Sequence, residues 1–557
     1  MLHIVLCVLS LFSVINGQVV FDAANCSEAN LSNFTNYQYV NVTNAEVVII
    51  VKNIPSASTF FVIQAHSFLN DIILSNNSVP ELHFYNEGTN VGLVQVTLGK
   101  SNFTFYLLNA NKNTTANVLI AVTLYAEKDP IPGGCNLVFD VENAPYQLIN
   151  YNKNMVEVSV QAPSVFGRTC EENIFSLEIY RIYLPEKEIS SESYFNGIEK
   201  MITVESIRKH GWRMHNKTNG HNKLRVLYSA YPGIGSVYAM IAVYKTGEAA
   251  YVPAVTYACD AKNRMMDDCV QPATPFWKMI CGISIAWGLL MCLFGFMFPF
   301  LVSYIFTGFI IGALIMYIRK KVIDELLKKT VKNVILNKFL DLRLFHYYYY
   351  YSCFTLHIII FLNRSRASEA SKPTTEPVYC IKIIDKVYVT ATSMLSHVII
   401  WMAVWYKCRS LRSVIELLLN GMLIASFFFQ VFIGDFFIFE SNLNYWVVFW
   451  AIVVVVAILQ GLCCLLQVKT TNSVLGAFTT ILAIDYFAGS YVRYIVINTI
   501  RRLTVDDFNL AIISPPAQFR DILMYFSCLV LLVCSAIFNM CVGMGSAGLS
   551  DTTPLLD

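Results

Sequence analysis

The sequence predicts a membrane protein with an N-terminal all-β head, built from two β-sandwich-like modules facing the lumen or the outside, and a seven-helix transmembrane bundle behind it. Three observations carry this. Hydrophobic residues fill 55% of the 557 positions, charged residues only 14%, and the mean hydropathy of +0.51 lies well away from globular usage. Nearly every long segment after Pro275 is apolar enough for lipid, whereas the chain before it carries Asn-x-Ser/Thr glycosylation acceptors. Between 45 and 125, short β-branched and aromatic runs alternate with Asn, Ser and Gly. A net charge of +2 gives no reason to expect a nucleic-acid partner.

Residues 1–17 read as a signal peptide. The apolar run Leu2 to Val14 is too short for a span and is followed by small Gly17 at the expected cleavage point. Its only basic residue besides the N-terminus is His3, so an uncleaved anchor is the alternative. The acceptors Asn25, Asn30, Asn33, Asn41, Asn76, Asn102, Asn113 and Asn216 all precede the first span and place the head in the secretory lumen.

Residues 18–128 form the first β module, with strands expected over Val47–Val51, Phe60–Gln64, Leu93–Leu98, Phe103–Leu108 and Val118–Tyr125. Asp129-Pro130-Ile131-Pro132-Gly133-Gly134 is neither helix nor central strand, and marks a module boundary. The second module, 129–275, holds strands at Met155–Gln161, Phe175–Leu184, Leu224–Ser229 and Val237–Tyr244, and a helix around Ser191–His210. Proximity favours a Cys259–Cys269 bridge and elimination a Cys135–Cys170 bridge, although four cysteines allow about three connectivities. Cys26 is left over.

In the membrane domain, 276–543, spans fall near 279–299, 301–318, 387–405, 414–433, 446–467, 474–498 and 522–543. Pro299 divides the first apolar block into a hairpin. With an outside head this puts the C-terminus in the cytosol. Lys407, Arg409 and Arg412 then lie inside, as positive-inside counting requires, but the seven basic residues between Arg319 and Lys338 lie outside. A rival topology treats 279–318 as one crossing and uses Tyr347–Leu362 as a span. The stretch 322–380, with its amphipathic lysine-rich helix and the tyrosine run Tyr347–Tyr351, is atypical.

Ionisable groups inside lipid are costly, so Asp485, Arg493, Glu416 and His397 are the first candidates for function. On one continuous helix, eight residues turn Asp485 and Arg493 about 80° apart, so a direct pair is not expected. The alternatives are an ion or proton site, a polar switch, or an acid satisfied inside the bundle. Gly308 and Gly312 have GxxxG spacing, which suits close helix packing within the bundle first and between two copies second. In the tail, 544–557, Asp551, Leu555 and Leu556 fit an acidic dileucine signal for cytosolic sorting adaptors. No zinc-protease, serine-elbow or phosphate-loop motif is present, so the expectation is no enzyme and no cofactor or metal.

The run Glu127 to Leu137, the stretch Ala250-Tyr251-Val252-Pro253-Ala254 with Thr256 to Cys259, Leu482 to Asp485, and Thr553 to Leu556 resemble the transmembrane 7 superfamily member 3 family. The membrane half is similar to the domain shared with transmembrane protein 198. This resemblance implies a glycosylated multi-pass protein of plasma and endomembranes that dampens ER stress and cell death, with no catalytic residues. The family joins its second and third spans by a short loop. The extra 322–380 therefore reads as a retained intron, and a transcript joining codons near 321 to those near 381 would show it. The leading expectation is a non-enzymatic protein whose head binds a luminal or extracellular partner. The alternative is an ion or small-solute transporter using Asp485 and Arg493. An intramembrane hydrolase is a third and weaker reading.

Overall fold

Alternating burial along Val47–Lys52, with Val47, Ile49 and Val51 inward, is the pattern of a strand with one face on a core. The computed structural model describes residues 17–294 and 409–550, apart from short stretches of which 262–268 is the longest. The signal segment, Asn25, Asn30, Asn33, Asn113, Asn216, Gly308, Gly312, the insertion 322–380, His397, the spans near 301–318 and 387–405, and the tail residues Asp551, Leu555 and Leu556 lie outside the described residues. The chain divides into two compact units. The first is Met1–Gln271 with Asp435–Phe437 and Leu510–Ile513, and the remainder is the second.

In the first unit, module one is a sandwich. One sheet runs in the order Gln18–Asp22, Val47–Lys52, Phe103–Asn109, Ile72–Ser75, Tyr85–Gly88, and the other Thr35–Val42, Ala116–Tyr125, Phe60–Ser67, Asn90–Val96. Phe61, Ile63, Phe105, Leu107 and Val122 fill the space between them. Phe60–Ser67 is buried at every position, because its outer face is covered too.

Module two pairs Leu148–Tyr151, Met155–Val160 and Leu224–Ser229 in one sheet, which Ala511–Ile512 extends in parallel register on Leu227–Tyr228. A six-stranded sheet centres on Ser176–Tyr183 and Ser236–Val243. The expected single helix is two, α1 (Ser191–Glu199) and α2 (Val204–His210). Ser190 and Thr203 each accept a hydrogen bond from the backbone three residues on, so the second N-cap restarts the chain where one helix was expected. Ile131–Cys135 is a short irregular strand on Ala162–Ser164, an edge position where Pro132 costs no ladder bond. Cys135 is bonded to Cys170 and Cys259 to Cys269.

The second unit contains α3 (Pro275–Phe294), α4 (Arg409–Phe428) running into a π-helical turn at Phe429–Ile433, α5 (Asn442–Leu462), α6 (Gln467–Ala488), α7 (Tyr494–Thr504) and α8 (Phe519–Ser550). Among the described residues α5, 21 residues long, is the helix long and apolar enough to cross a membrane, while Cys281–Phe294, Leu417–Ile433 and Ser473–Ala488 are shorter apolar helices. Close packing rests on glycines other than the expected pair. A Cβ on Gly476 of α6 would stand 2.6 Å from the Cys292 amide nitrogen of α3, and one on Gly421 of α4 2.7 Å from the Val453 carbonyl of α5. Ser535 of α8 donates to the Cys292 carbonyl and lies 2.6 Å from the Ser473 hydroxyl of α6, tying three helices.

Candidate functional site

The expected span 474–498 is not one helix. Regular hydrogen bonding stops at Ala488, and Gly489, at φ +73°, takes a conformation that a side chain would resist. The Gly489 amide donates to the Asp485 carbonyl at 2.6 Å, closing the last turn before the chain unwinds through Ser490–Arg493. This break corrects the helical-wheel expectation for the two charges. Arg493 turns back until its Nη1 lies 3.9 Å from Asp485 Oδ2, with Asp485 only 1% exposed. The Ser490 hydroxyl donates to Asp485 Oδ1.

A second carboxylate fixes the break. Asp521, in the first turn of α8 and buried, accepts from the Tyr491 amide at 2.7 Å and from the Gln518 amide at 3.3 Å. That is the geometry of an acid at a helix N-terminus, where unsatisfied amides and the helix dipole favour negative charge. Nearby, Asn498 of α7 donates to Gln430 in the π-helical turn at 2.9 Å and accepts from Arg501 at 3.1 Å. Arg502 donates to the Phe439 and Asn509 carbonyls and stands 4.1 Å over the Tyr445 ring. Asp521, Ser490, Asn498 and Gln430 escaped sequence reading, because polar residues near span ends look like ordinary loop residues. The signal that could have found the break was Gly489-Ser490 inside an otherwise apolar run. Glu416 lies on α4, and its side chain is outside the described residues.

In the first unit, the two unusual stretches that carried the resemblance meet. The Gly133 amide donates to the Tyr251 hydroxyl at 3.3 Å, and that hydroxyl donates to the Gln161 carbonyl at 2.7 Å. Gly133, at φ +66°, lies so close to the Ala144 carbonyl that no side chain fits. Asp129 accepts from the Ala126 amide at 2.9 Å, and burial pushes its carboxyl above the usual range. Ile131, Ala249 and Val252 pack on Phe60, Val62 and Tyr125, and α1 packs on Leu119 and Ala121 of module one. The junction also buries His66, which contacts Asn90 at 3.0 Å and Gln64 at 3.1 Å, while the Tyr194 hydroxyl of α1 donates to Asn90 at 2.8 Å. Desolvation pulls the His66 imidazole down to about 4. The modules are therefore one body rather than beads on a linker. Of the described acceptors, Asn41 and Asn102 are exposed, and Asn76 is half-buried.

Comparison with known proteins agrees with this division. Residues 28–125 match the TM7SF3-like, N-terminal immunoglobulin-like domain, 130–262 the TM7SF3-like, second immunoglobulin-like domain, and 382–540 the TM7S3/TM198-like domain. Transmembrane 7 superfamily member 3 of Homo sapiens is 25% identical over 490 residues, covering 85% of this chain and 76% of the relative. Those of Mus musculus and Rattus norvegicus are 24% and 25% identical, with the same coverage of both chains. Among solved structures, the glycoside hydrolase domain of Endo-D from Streptococcus pneumoniae R6 aligns at 12% identity over 40% of this chain and 33% of that chain. Its TM-score is 0.12, and it carries no argument about fold or chemistry.

Proposed function

This chain is a TM7SF3-like membrane protein with two immunoglobulin-like domains ahead of a TM7S3/TM198-like domain, and on that basis we propose that it is a non-enzymatic, seven-span homeostasis factor that attenuates ER stress and cell death. Its head holds a luminal or extracellular protein partner, and its bundle anchors and relays that event. The observation that carries this reading is the junction between the two immunoglobulin-like domains. A buried seam of Phe60, Tyr125, Tyr194 and Tyr251 holds them as one platform, which suits presentation of a fixed surface to a partner.

The head faces outside and the tail the cytosol, at the plasma membrane with ER and endolysosomal traffic directed by adaptors on Asp551, Leu555 and Leu556. The parallel pairing of Ala511–Ile512 with Leu227–Tyr228 supports this orientation, since it groups the stretch between α7 and α8 with the head.

The broken helix favours a second reading, a transporter of an ion or small solute. Unwound backbone beside a buried carboxylate is the form such sites take in lipid. Asp485→Asn separates the two. In cells lacking the endogenous protein, a relay keeps its partner in pull-down and still lowers a stress reporter with this variant. A transporter reaches the surface but loses uptake or current. Failure of the wild-type chain to lower the reporter would end the first reading.

A further inference from the structure

The first unit contains a single tryptophan, Trp212, and leaves it 71% exposed. Tryptophan has the largest apolar side chain a fold can bury, yet here the core is filled with tyrosine and phenylalanine and the indole is left in water. Trp212 and Arg213 form a two-residue strand on the outer edge of the six-stranded sheet, opposite Arg181 and Tyr180. They follow directly on the last turn of α2, where Arg208, Lys209 and His210 stand. Lys209, His210 and Arg213 are exposed beside the indole.

The surroundings are one-signed. From Ser206 to Gly247 the chain has no aspartate or glutamate, while Arg208, Lys209, Arg213, Lys217, Lys223 and Arg225 fall within it, with His210, His215 and His221. The carboxylates that reach this face come from other strands and are engaged. Arg208 grips Glu178 at 3.0 Å and Glu248 at 2.7 Å, Arg213 meets Glu178 at 2.9 Å, and Arg225 meets Glu157 at 2.9 Å. This network fixes Arg208 and Arg213, and Lys209 has no ion-pair partner among the described residues.

We propose that Trp212, with Lys209, His210 and Arg213, is a docking site for an acidic polysaccharide. The indole face stacks on the C–H face of a pyranose ring, and the flanking cations take the sulfate or carboxylate groups of adjoining sugars. Charge complementarity selects a polyanion. A protein partner would be met by an apolar patch with a polar rim, whereas the exposed neighbours of this aromatic are cations, and an edge strand leaves room for a linear chain to lie along it. The proposal rests on the outward-facing head of the preceding section and names the ligand class for one part of its surface.

The test uses the full-length protein in nanodiscs of neutral lipid, treated with glycosidase so that no sugar on Asn216 competes, and passed over immobilised heparin. The wild type is retained at about 0.15 M NaCl and elutes at higher salt. Trp212→Ala lowers affinity by about tenfold, with the loss persisting at high salt. Lys209→Gln gives a smaller loss that vanishes as salt rises. Both side chains are exposed, so unchanged melting temperatures verify that the variants fold. Passage of the wild type at about 0.15 M NaCl, equal retention of Trp212→Ala, or displacement by polyglutamate as readily as by heparin would overturn the proposal. Binding to phosphatidylserine vesicles with the same Trp212 dependence and none to heparin would do so as well. Failure here, in a protein whose mass shifts on glycosidase treatment, leaves the outward orientation standing.

Discussion

Acidification should loosen the head through one residue, His66. The imidazole is fully buried at the domain junction, with both ring nitrogens in hydrogen bonds to neutral side chains, Asn90 and Gln64. Its pKa is carried from the ordinary 6.5 down to about 4, first by desolvation, with the Asn90 contact working weakly the other way. The unfolded chain therefore takes up a proton below about 6.5, which the folded head refuses until about 4. Stability from this group is complete above the unfolded value, declines across the window between the two, and is gone below the folded one. That displacement corresponds to about 3 kcal/mol in all, and to about 2 kcal/mol at a pH near 5. Pulse proteolysis of the full-length protein in urea, at pH 7.5, 5.5 and 4, measures it. His66→Gln should flatten the pH dependence by that amount whatever its absolute stability. Identical pH slopes for the two proteins would refute the reasoning.

Two other perturbations follow from the packing. Gly476→Leu drives a side chain into the α3 backbone at Cys292, where a Cβ already meets nitrogen at 2.6 Å, so mature protein at the cell surface should fall several-fold, whereas Gly461→Leu, with its nearest neighbour at 3.8 Å, should not. Replacing Cys135 and Cys170 together by serine opens a loop of 35 residues and should lower head stability by about 4 kcal/mol on a chain-entropy estimate, read by the same proteolysis assay at neutral pH.

The β content of the head was legible because its signal is local. Phe103–Asn109 and Ala116–Tyr125 lie where β-branched and aromatic runs place them, and Cys259–Cys269 is bonded where ten residues of separation favour it. What alternation could not reveal is why Phe60–Ser67 is apolar on both faces. The reason is tertiary, since one face meets its own sandwich and the other meets Ala249 and Val252 of the next domain. The same holds for His66, which in sequence is an unremarked polar residue in an apolar run. Its role exists only once α1 brings Tyr194 to Asn90.

The intramembrane pair shows the limit in its sharpest form. A helical wheel assumes an unbroken helix, and on that assumption Asp485 and Arg493 point apart. Hydropathy cannot reveal the break, because Gly489 and Ser490 barely lower the mean of the apolar run around them. Yet two residues change the electrostatics of the whole span, since they let the chain fold an arginine back onto a carboxylate that lipid would otherwise leave uncompensated. Asp521 then anchors the unwound segment by its backbone amide, which a substitution of the Tyr491 side chain leaves in place. The pair is thus held by backbone geometry as much as by charge. Gly489→Ala, which strains φ +73°, should disturb it as strongly as removing the arginine, and equal retention of surface expression by Gly489→Ala and the wild type would contradict that assignment.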